Sequence, residues 1–413
     1  MYIRRLSLVA GVIVLGLLFG AAGLPSARPV AAFDTSGKQV WVYYMGFWGG
    51  EASWDMQADI LTDYPLLGKY DSRDPAVAAT QIEQAKGAGI DAFLVSWFGL
   101  GDQLTTTPVL NNMLDRASER GFSVGAVVDI YDPKFNSDPS GLVDSLNWLA
   151  HDKANHPAYL RYNGKPVIFF AFQDRLGLST DQWLSIRNQV DPNRQTIWIA
   201  EGINGCCLYG GAMDGMYAFN LAWAYGSASR FAYEKNQALQ NGASMYIPTI
   251  HPGWDESKIA ARDGRPNPTS PKSRAGGQFL RYSFNGAAFI RPDVILIVSW
   301  NEFMENSHIE PSTLYGTQSL DVLGPLVAAW KATLNPTPTP SPTPLPPGSG
   351  AEAKWTLNVR AGPGLNYGII GQIKPGTAYE IVEVKGSWYG IHFNDQVGYV
   401  YAPYVTIKPP GSY

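Results

Sequence analysis

The stretch DVILIVSWNEFMENSHIEPS, residues 293–312, decides how the rest of the chain is read. Val294 to Ser299 is a continuous apolar run rich in β-branched residues, the pattern of a strand buried on both faces and therefore of a parallel sheet. The run stops at Trp300. Over the next ten positions come Glu302, Glu305 and Glu310, beside Asn301, Phe303 and His308. Carboxylates just past the carboxyl end of a buried strand lie where α/β proteins carry out chemistry.

Working outward, seven further short apolar runs read as strands: Val40 to Trp48, Asp91 to Trp97, Ser123 to Ile130, Pro166 to Phe172, Thr196 to Ala200, Gly215 to Phe219 and Met245 to Ile250. Helix-like segments fill the gaps at Pro75 to Gly87, Val109 to Arg120, Ser140 to His151, Thr180 to Gln189, Ser227 to Asn241, Ala275 to Phe289 and Leu320 to Leu334. The gap between the fifth and sixth strands has no clear helix. Strand and helix alternating in this way predict an α/β fold of the (β/α)8 TIM-barrel type, with its site at the carboxyl ends of the strands. An open doubly wound sheet is the alternative, but no glycine-rich dinucleotide turn follows the first strand.

Under the barrel reading the strand ends supply a polar and aromatic rim. The first gives Tyr43, Tyr44 and Trp48, the second Trp97, the third Asp129 and Tyr131, and the fifth Glu201. The sixth gives Asn220, the seventh His251, Trp254 and Asp255, and the last Asn301, Glu302, Glu305 and Glu310. Aromatics at such a rim suit a flat-faced ligand such as a sugar, and the chain is rich in them, with 13 Trp, 22 Tyr and 17 Phe. A net charge of -4 with only 16% charged residues gives no basic stripe for nucleic acid.

The ends of the chain have a different composition. Arg4 and Arg5 precede a mostly apolar run from Leu6 to Leu24, and Val30-Ala31-Ala32 fits a cleavage site, so residues 1–32 are expected to be a signal peptide. An uncleaved membrane anchor is the competing expectation, because about 20 apolar residues span a bilayer. The barrel is expected over 33–334. Residues 335–350, NPTPTPSPTPLPPGSG, form a Pro/Thr-rich linker whose alternating prolines favour an extended spacer. Residues 351–413 are too short for another barrel and have a β-rich pattern. With LNVRAGPGLNY (357–367) and GYVYAPYV (398–405), they resemble the small all-β bacterial SH3-like domain, often a cell-wall-targeting module. Cys206 and Cys207, the two cysteines, are adjacent and read either as a vicinal disulfide or as two thiols.

Several motifs fail. Five scattered histidines form no metal-binding pattern, so neither metal nor cofactor is expected. GFSVG (121–125) matches a nucleophile elbow by letter but enters a strand rather than leaving one. What survives is the pair Glu302 and Glu305. If the chain turns helically there, the two share one face, and in a confined site one of them should hold its proton near neutral pH. A general acid for glycoside cleavage needs that property. Acidic residues opening a helix would give the same spacing without catalysis.

The segment SWNEFMENSHIEPS resembles the pattern Asn-Glu-Trp-His-Glu-Gly-Thr-Gln-Ile-Glu-Pro of glycoside hydrolase family 99, the endo-α-mannosidases and endo-α-mannanases. Tyr43-Tyr44, GIDAFLVSWFG (89–99) and Pro252-Gly253-Trp254-Asp255 support the likeness. The resemblance implies a retaining (β/α)8 enzyme in which Glu305 is the general acid/base and Glu302 takes the proton from the sugar 2-hydroxyl. The 2-oxygen then attacks the anomeric carbon to give a 1,2-anhydro sugar, which water opens. Phe303-Met304 stand where the family has Trp-His, and Asn306 where it has Gly, which leaves the substrate open. A conventional glycosidase pairing one glutamate with Asp129, Glu201 or Asp255, or a non-catalytic carbohydrate-binding barrel, are the other readings.

Overall fold

The computed structural model describes residues 37–102, 105–130, 139–267, 269–333, 346, 348–354, 356–364, 367–385 and 388–412. The expected export segment, Tyr131 and most of the linker lie outside the described residues.

Eight parallel strands form the first sheet: β1 (Gln39–Tyr44), β2 (Ala92–Trp97), β3 (Ser123–Asp129), β4 (Lys165–Ala171), β5 (Ile197–Glu201), β6 (Gly215–Tyr217), β7 (Met245–Ile247, resumed after Pro248 as Thr249–Ile250) and β8 (Val294–Ile297). Each pairs with its sequence neighbour. β8 also pairs with β1, Gln39 opposite Val294, so the sheet closes into a barrel. Pro248 lacks an N–H and interrupts β7, yet its carbonyl still accepts from the Leu296 N–H at 3.0 Å.

Nearly every strand residue is buried, so the two faces must be told apart by alternation. Trp41, Tyr43, Leu94, Val127, Phe169, Ile199, Tyr217 and Leu296 point inward and fill the barrel. Val40, Val42, Tyr44, Phe93, Val95 and Trp97 point outward against the helices. Those helices are α1 (Pro75–Gly87), α2 (Thr106–Arg120), α3 (Pro139–His151), α4 (Thr180–Val190), α5 (Ala228–Gln240), α6 (Gln278–Phe289) and α7 (Gln318–Ala332). Their starts follow local chemistry: Asp74 caps α1 by accepting from the Ala76 N–H, with Pro75 at the first position, and Ser179 with Gln182 forms a capping box on α4. Between β5 and β6 there is only a 3-10 turn, Tyr209–Gly211, and in that stretch Cys206 and Cys207 are joined as a disulfide.

The second sheet is all antiparallel, with strands β9 (Gly350–Ala353), β10 (Leu357–Arg360), β11 (Ile369–Ile373), β12 (Ala378–Lys385), β13 (Trp388–Phe393), β14 (Gln396–Tyr401) and β15 (Val405–Lys408). Its small core is Ala351, Val359, Ile391, Phe393 and Val400. Leu357, Arg360, Trp388, Tyr401 and Tyr404 line a groove of about 310 Å³ on this unit. Among the described residues no helix is long and apolar enough to cross a membrane.

Candidate active site

The segment after β8 is a tight loop, not the helical turn expected from its sequence. Ser307 N–H donates to Glu302 O at 3.2 Å, Asn306 N–H to Phe303 O at 3.3 Å, and the limbs close through Ser299 N–H to Ser307 O at 2.9 Å. The next helix, α7, begins only at Gln318, so these glutamates do not open a helix. Asn306 has φ 52°, a left-handed conformation tolerated by Gly and Asn, which explains how Asn can stand at the family's Gly position.

Buried polar groups pin this loop to the barrel. Asn301 Oδ1 accepts from Met45 N–H at 2.7 Å, while its Nδ2 donates to Met45 O and to Tyr70 Oη, both at 3.0 Å. Glu310 accepts from Tyr70 Oη at 2.8 Å and from Gln81 Nε2 at 2.7 Å, and burial pushes its carboxyl up to about 8. Phe303 stacks on His308 at 4.0 Å within a cluster that includes Trp48 and Trp54. His308 in turn faces Asp63 at 3.0 Å. Burial opposes ionisation of Asp63, but hydrogen bonds from His308, Ser312, Thr313 and Leu314 together hold it well below the usual carboxylate range.

Glu302 and Glu305 lie on the pinned loop close enough for their charges to act on each other. Glu302 is buried; its N–H donates to Ser299 Oγ at 2.8 Å and its Oε1 accepts from Met304 N–H at 3.0 Å. Burial pushes its carboxyl up to about 7, moderated by the backbone N–H groups of Met304 and Glu305. Glu305 is also raised well above the usual carboxylate range, first by burial, then by the charges of Glu302 and Glu256, with Arg265 opposing. Its residue keeps a small opening to solvent, while its Oε2 is covered and has no protein partner. Both carboxyls are therefore biased toward the protonated form, Glu305 in part because charge on Glu302 beside it disfavours a second one.

The mouth around this pair draws on other strands. Glu201 at the end of β5 lies close enough to act on Glu305, accepts from Phe172 N–H at 3.0 Å, and is pushed up to about 7 by burial. Asp129 accepts from Ser96 Oγ at 2.8 Å and, with Glu201 and Tyr217, surrounds the Tyr43 hydroxyl. Trp254 donates from Nε1 to Glu256 at 3.1 Å, and Glu256 pairs with Arg265 at 2.8 Å. Asn220 is half-buried at the rim, donating to Thr269 Oγ1 at 3.0 Å.

Six of the residues expected to bind substrate are placed elsewhere. Tyr44 lies on the outward face of β1 and donates to Gln81 Oε1 of α1 at 2.9 Å. Trp97 is outward on β2, stacked on Trp148 and donating to Thr107 Oγ1 at 2.8 Å. Trp48 stacks on Trp54 at 3.6 Å beneath the loop, and Asn301 and Glu310 serve as the loop's pins. His251 accepts from Leu221 N–H at Nε2 and donates from Nδ1 to Val298 O, both at 3.1 Å. Burial holds it down to about 3, so it is a neutral tie between loops. Asp255 is likewise taken up, accepting from Ser257 N–H at 3.0 Å. Sequence reasoning missed Tyr217, Glu256 and Arg265; only Glu256, directly after Trp254-Asp255, carried a signal that could have been used.

Comparison with known proteins agrees with this fold. The chain is 26% identical over 266 residues to the glycoprotein endo-alpha-1,2-mannosidase of Xenopus laevis, covering 60% of this chain and 58% of that protein. It is 27% identical over 268 residues to the human glycoprotein endo-alpha-1,2-mannosidase-like protein, covering 60% and 56%. It thus spans little more than half the length of these curated relatives. In fold it resembles the endo-alpha-mannosidase of Bacteroides thetaiotaomicron, with TM-score 0.62 and 20% identity over 73% of this chain and 98% of that one. Residues 355–406 match the bacterial SH3 domain. Residues 46–324, more than half of the chain, match glycosyl hydrolase family 99, and the chain belongs to that family.

Proposed function

We propose that this chain is an exported glycoside hydrolase that cleaves α-mannoside-like glycans with retention of configuration. One observation carries the proposal: Glu305, its carboxyl biased toward the protonated form and its Oε2 uncommitted, lies beside Glu302 on the loop that follows the last strand of a closed barrel. Glu302 takes the proton from the sugar 2-hydroxyl as the 2-oxygen forms its bond to the anomeric carbon. Glu305 protonates the departing glycosidic oxygen as that bond breaks. Water, deprotonated by Glu305, then opens the 1,2-anhydro ring at the anomeric carbon, and the 2-oxygen recovers its proton. Both carboxylates come from one short loop, which suits an internal nucleophile better than a direct enzyme nucleophile placed across the ring from the acid. Backside attack by the 2-oxygen needs it trans to the leaving group, as in an α-mannoside.

The changes at Phe303 and Met304 are compatible with this chemistry. Phe303 is turned into the aromatic cluster under the loop, and Met304 packs partly against the same cluster. Export rests on the basic start and the apolar run from Leu6 to Leu24, and attachment to cell-wall material rests on the SH3-like unit with its aromatic groove. Replacing Glu302 or Glu305 separately by Gln is expected to lower kcat/KM on an α-mannan by about 10²- to 10⁴-fold with unchanged circular dichroism. Near-normal turnover by either variant would overturn the assignment. The conventional alternative, with Glu201 as nucleophile, predicts that Glu201→Gln is the variant that abolishes turnover and that a blocked 2-hydroxyl is tolerated.

A further inference from the structure

Beside the glutamate loop lies a cavity that the proposed chemistry does not use. It has a volume of about 510 Å³, within the range of small-ligand sites, and its lining includes Trp254, Asp255, Lys272, Arg274, Asn306 and Tyr315. Its walls are built by close backbone approach. Trp254 and Lys272 exchange backbone hydrogen bonds at 3.0 and 2.7 Å, and a Cβ at Gly253 would sit 2.8 Å from Arg274 Cγ, so only glycine fits there.

The cavity is lined by two cations, Arg274 and Lys272, against one carboxylate, Asp255. Arg274 is only 5% exposed; it donates to Ser319 Oγ at 3.1 Å and to Asn306 O and Oδ1 at 3.2 and 3.3 Å, and lies over the Tyr315 ring at 4.0 Å. Its Nε has no partner. Among the described residues no carboxylate lies within ion-pair distance of Arg274 or Lys272. The neighbouring acids make their direct bonds elsewhere, Glu256 with Arg265, Asp63 with His308 and Asp255 with Ser257, although Tyr315 and the charge of Asp63 favour the ionised form of Arg274 against the cost of its burial. A buried guanidinium whose direct hydrogen-bond partners are all neutral gains from an anion that reaches contact distance. Gln318, the first residue of α7, also lines the cavity, so the positive end of a 15-residue helix borders it. At the rim the Lys272 ammonium sits 4.2 Å over the ring of Tyr225, which is 57% exposed and able to stack on a sugar face.

Resting on the hydrolase reading above, we infer that this cavity is a subsite for an acidic sugar, one bearing a phosphate or carboxylate, on the leaving-group side of the bond to be cleaved. The side follows from connectivity. Asp255 N–H donates to Glu305 O at 2.8 Å and Asn306 directly follows Glu305, so the cavity flanks the residue that protonates the leaving oxygen. Asn306 supports the arrangement: with glycine at position 306, the guanidinium would lose its side-chain amide contact.

Isothermal titration calorimetry of the full chain with mannose 6-phosphate, mannose and inorganic phosphate tests the inference. Mannose 6-phosphate is expected to bind about tenfold or more tightly than either other probe, and Lys272→Met to remove most of that advantage without changing mannose binding. Arg274→Gln should act in the same direction, with the partly exposed Lys272 variant guarding against a folding defect in the buried one. Equal binding of inorganic phosphate and mannose 6-phosphate would overturn the inference in favour of a free-anion site. Equal binding of mannose and mannose 6-phosphate, or an advantage untouched by Lys272→Met, would also overturn it. Turnover of neutral α-mannan by the same preparation is scored separately: its absence would sink the hydrolase reading and leave the calorimetric result standing.

Discussion

Asn301 stands next to the candidate base, and its sequence context suggests a substrate contact, whereas the structure makes it the main fastener of the loop. Asn301→Ala distinguishes these roles. The substitution leaves Met45 N–H and Met45 C=O buried without their partners, while Tyr70 keeps its bond to Glu310. Each stranded backbone group costs about 1 to 3 kcal/mol, so the two together should cost about 4 kcal/mol. That is a large share of a typical folding stability of about 5 to 15 kcal/mol. Urea unfolding followed by tryptophan fluorescence should show a much lower midpoint with little change in slope. Asn301→Asp should recover little, because it keeps the acceptor for Met45 N–H but loses the donor to Met45 O and buries a charge. An unchanged midpoint accompanied by a large rise in KM would refute the structural role and return Asn301 to the substrate.

Other expectations follow from the same geometry. The rate should rise with pH as Glu302 ionises through about 7 and fall again at higher pH as Glu305 loses its proton, and a pH profile of kcat/KM checks both limbs. Stability should move the other way across part of that range. Unfolded Glu titrates near 4.3, whereas folded Glu201 and Glu302 titrate at about 7 and Glu310 at about 8, so between roughly pH 4.5 and 8 the folded chain holds more protons and loses stability as pH rises. A lower urea midpoint at pH 8 than at pH 5 is expected, and Glu310→Gln should reduce the difference. Trp388→Ala in the SH3-like groove should reduce co-sedimentation with cell-wall material and leave hydrolysis of a soluble glycan unchanged.

The barrel was legible because each of its strands is an apolar run of the right length between turn signals, and the eight strands lie close to where those runs fall. The same feature hid the orientation of the rim. In a strand buried on both faces the sequence does not separate inward from outward, so Tyr43 and Tyr44 looked equivalent although one faces the mouth and the other α1. Trp97 was misplaced for the same reason. Asn301, Glu310 and His251 show a second limit: a polar residue that satisfies buried backbone or hydroxyl groups looks, in sequence, like one that awaits a ligand. The loop's conformation was not legible either, since three-residue spacing suits a helical turn and a tight loop alike. Arg265 left no trace because its partner Glu256 is held from a different limb of the loop after β7.

Glu305 and its neighbour Glu302, acting together on a sugar with a free 2-hydroxyl, are the centre of the proposal. Incubation of the full chain with an α-mannan and with its 2-O-methylated derivative, with products followed by NMR at the anomeric carbon, tests it most directly. Release of new reducing ends with retained α configuration from the first substrate and none from the second is the expected result. Equal cleavage of both substrates, or inverted product, would contradict it.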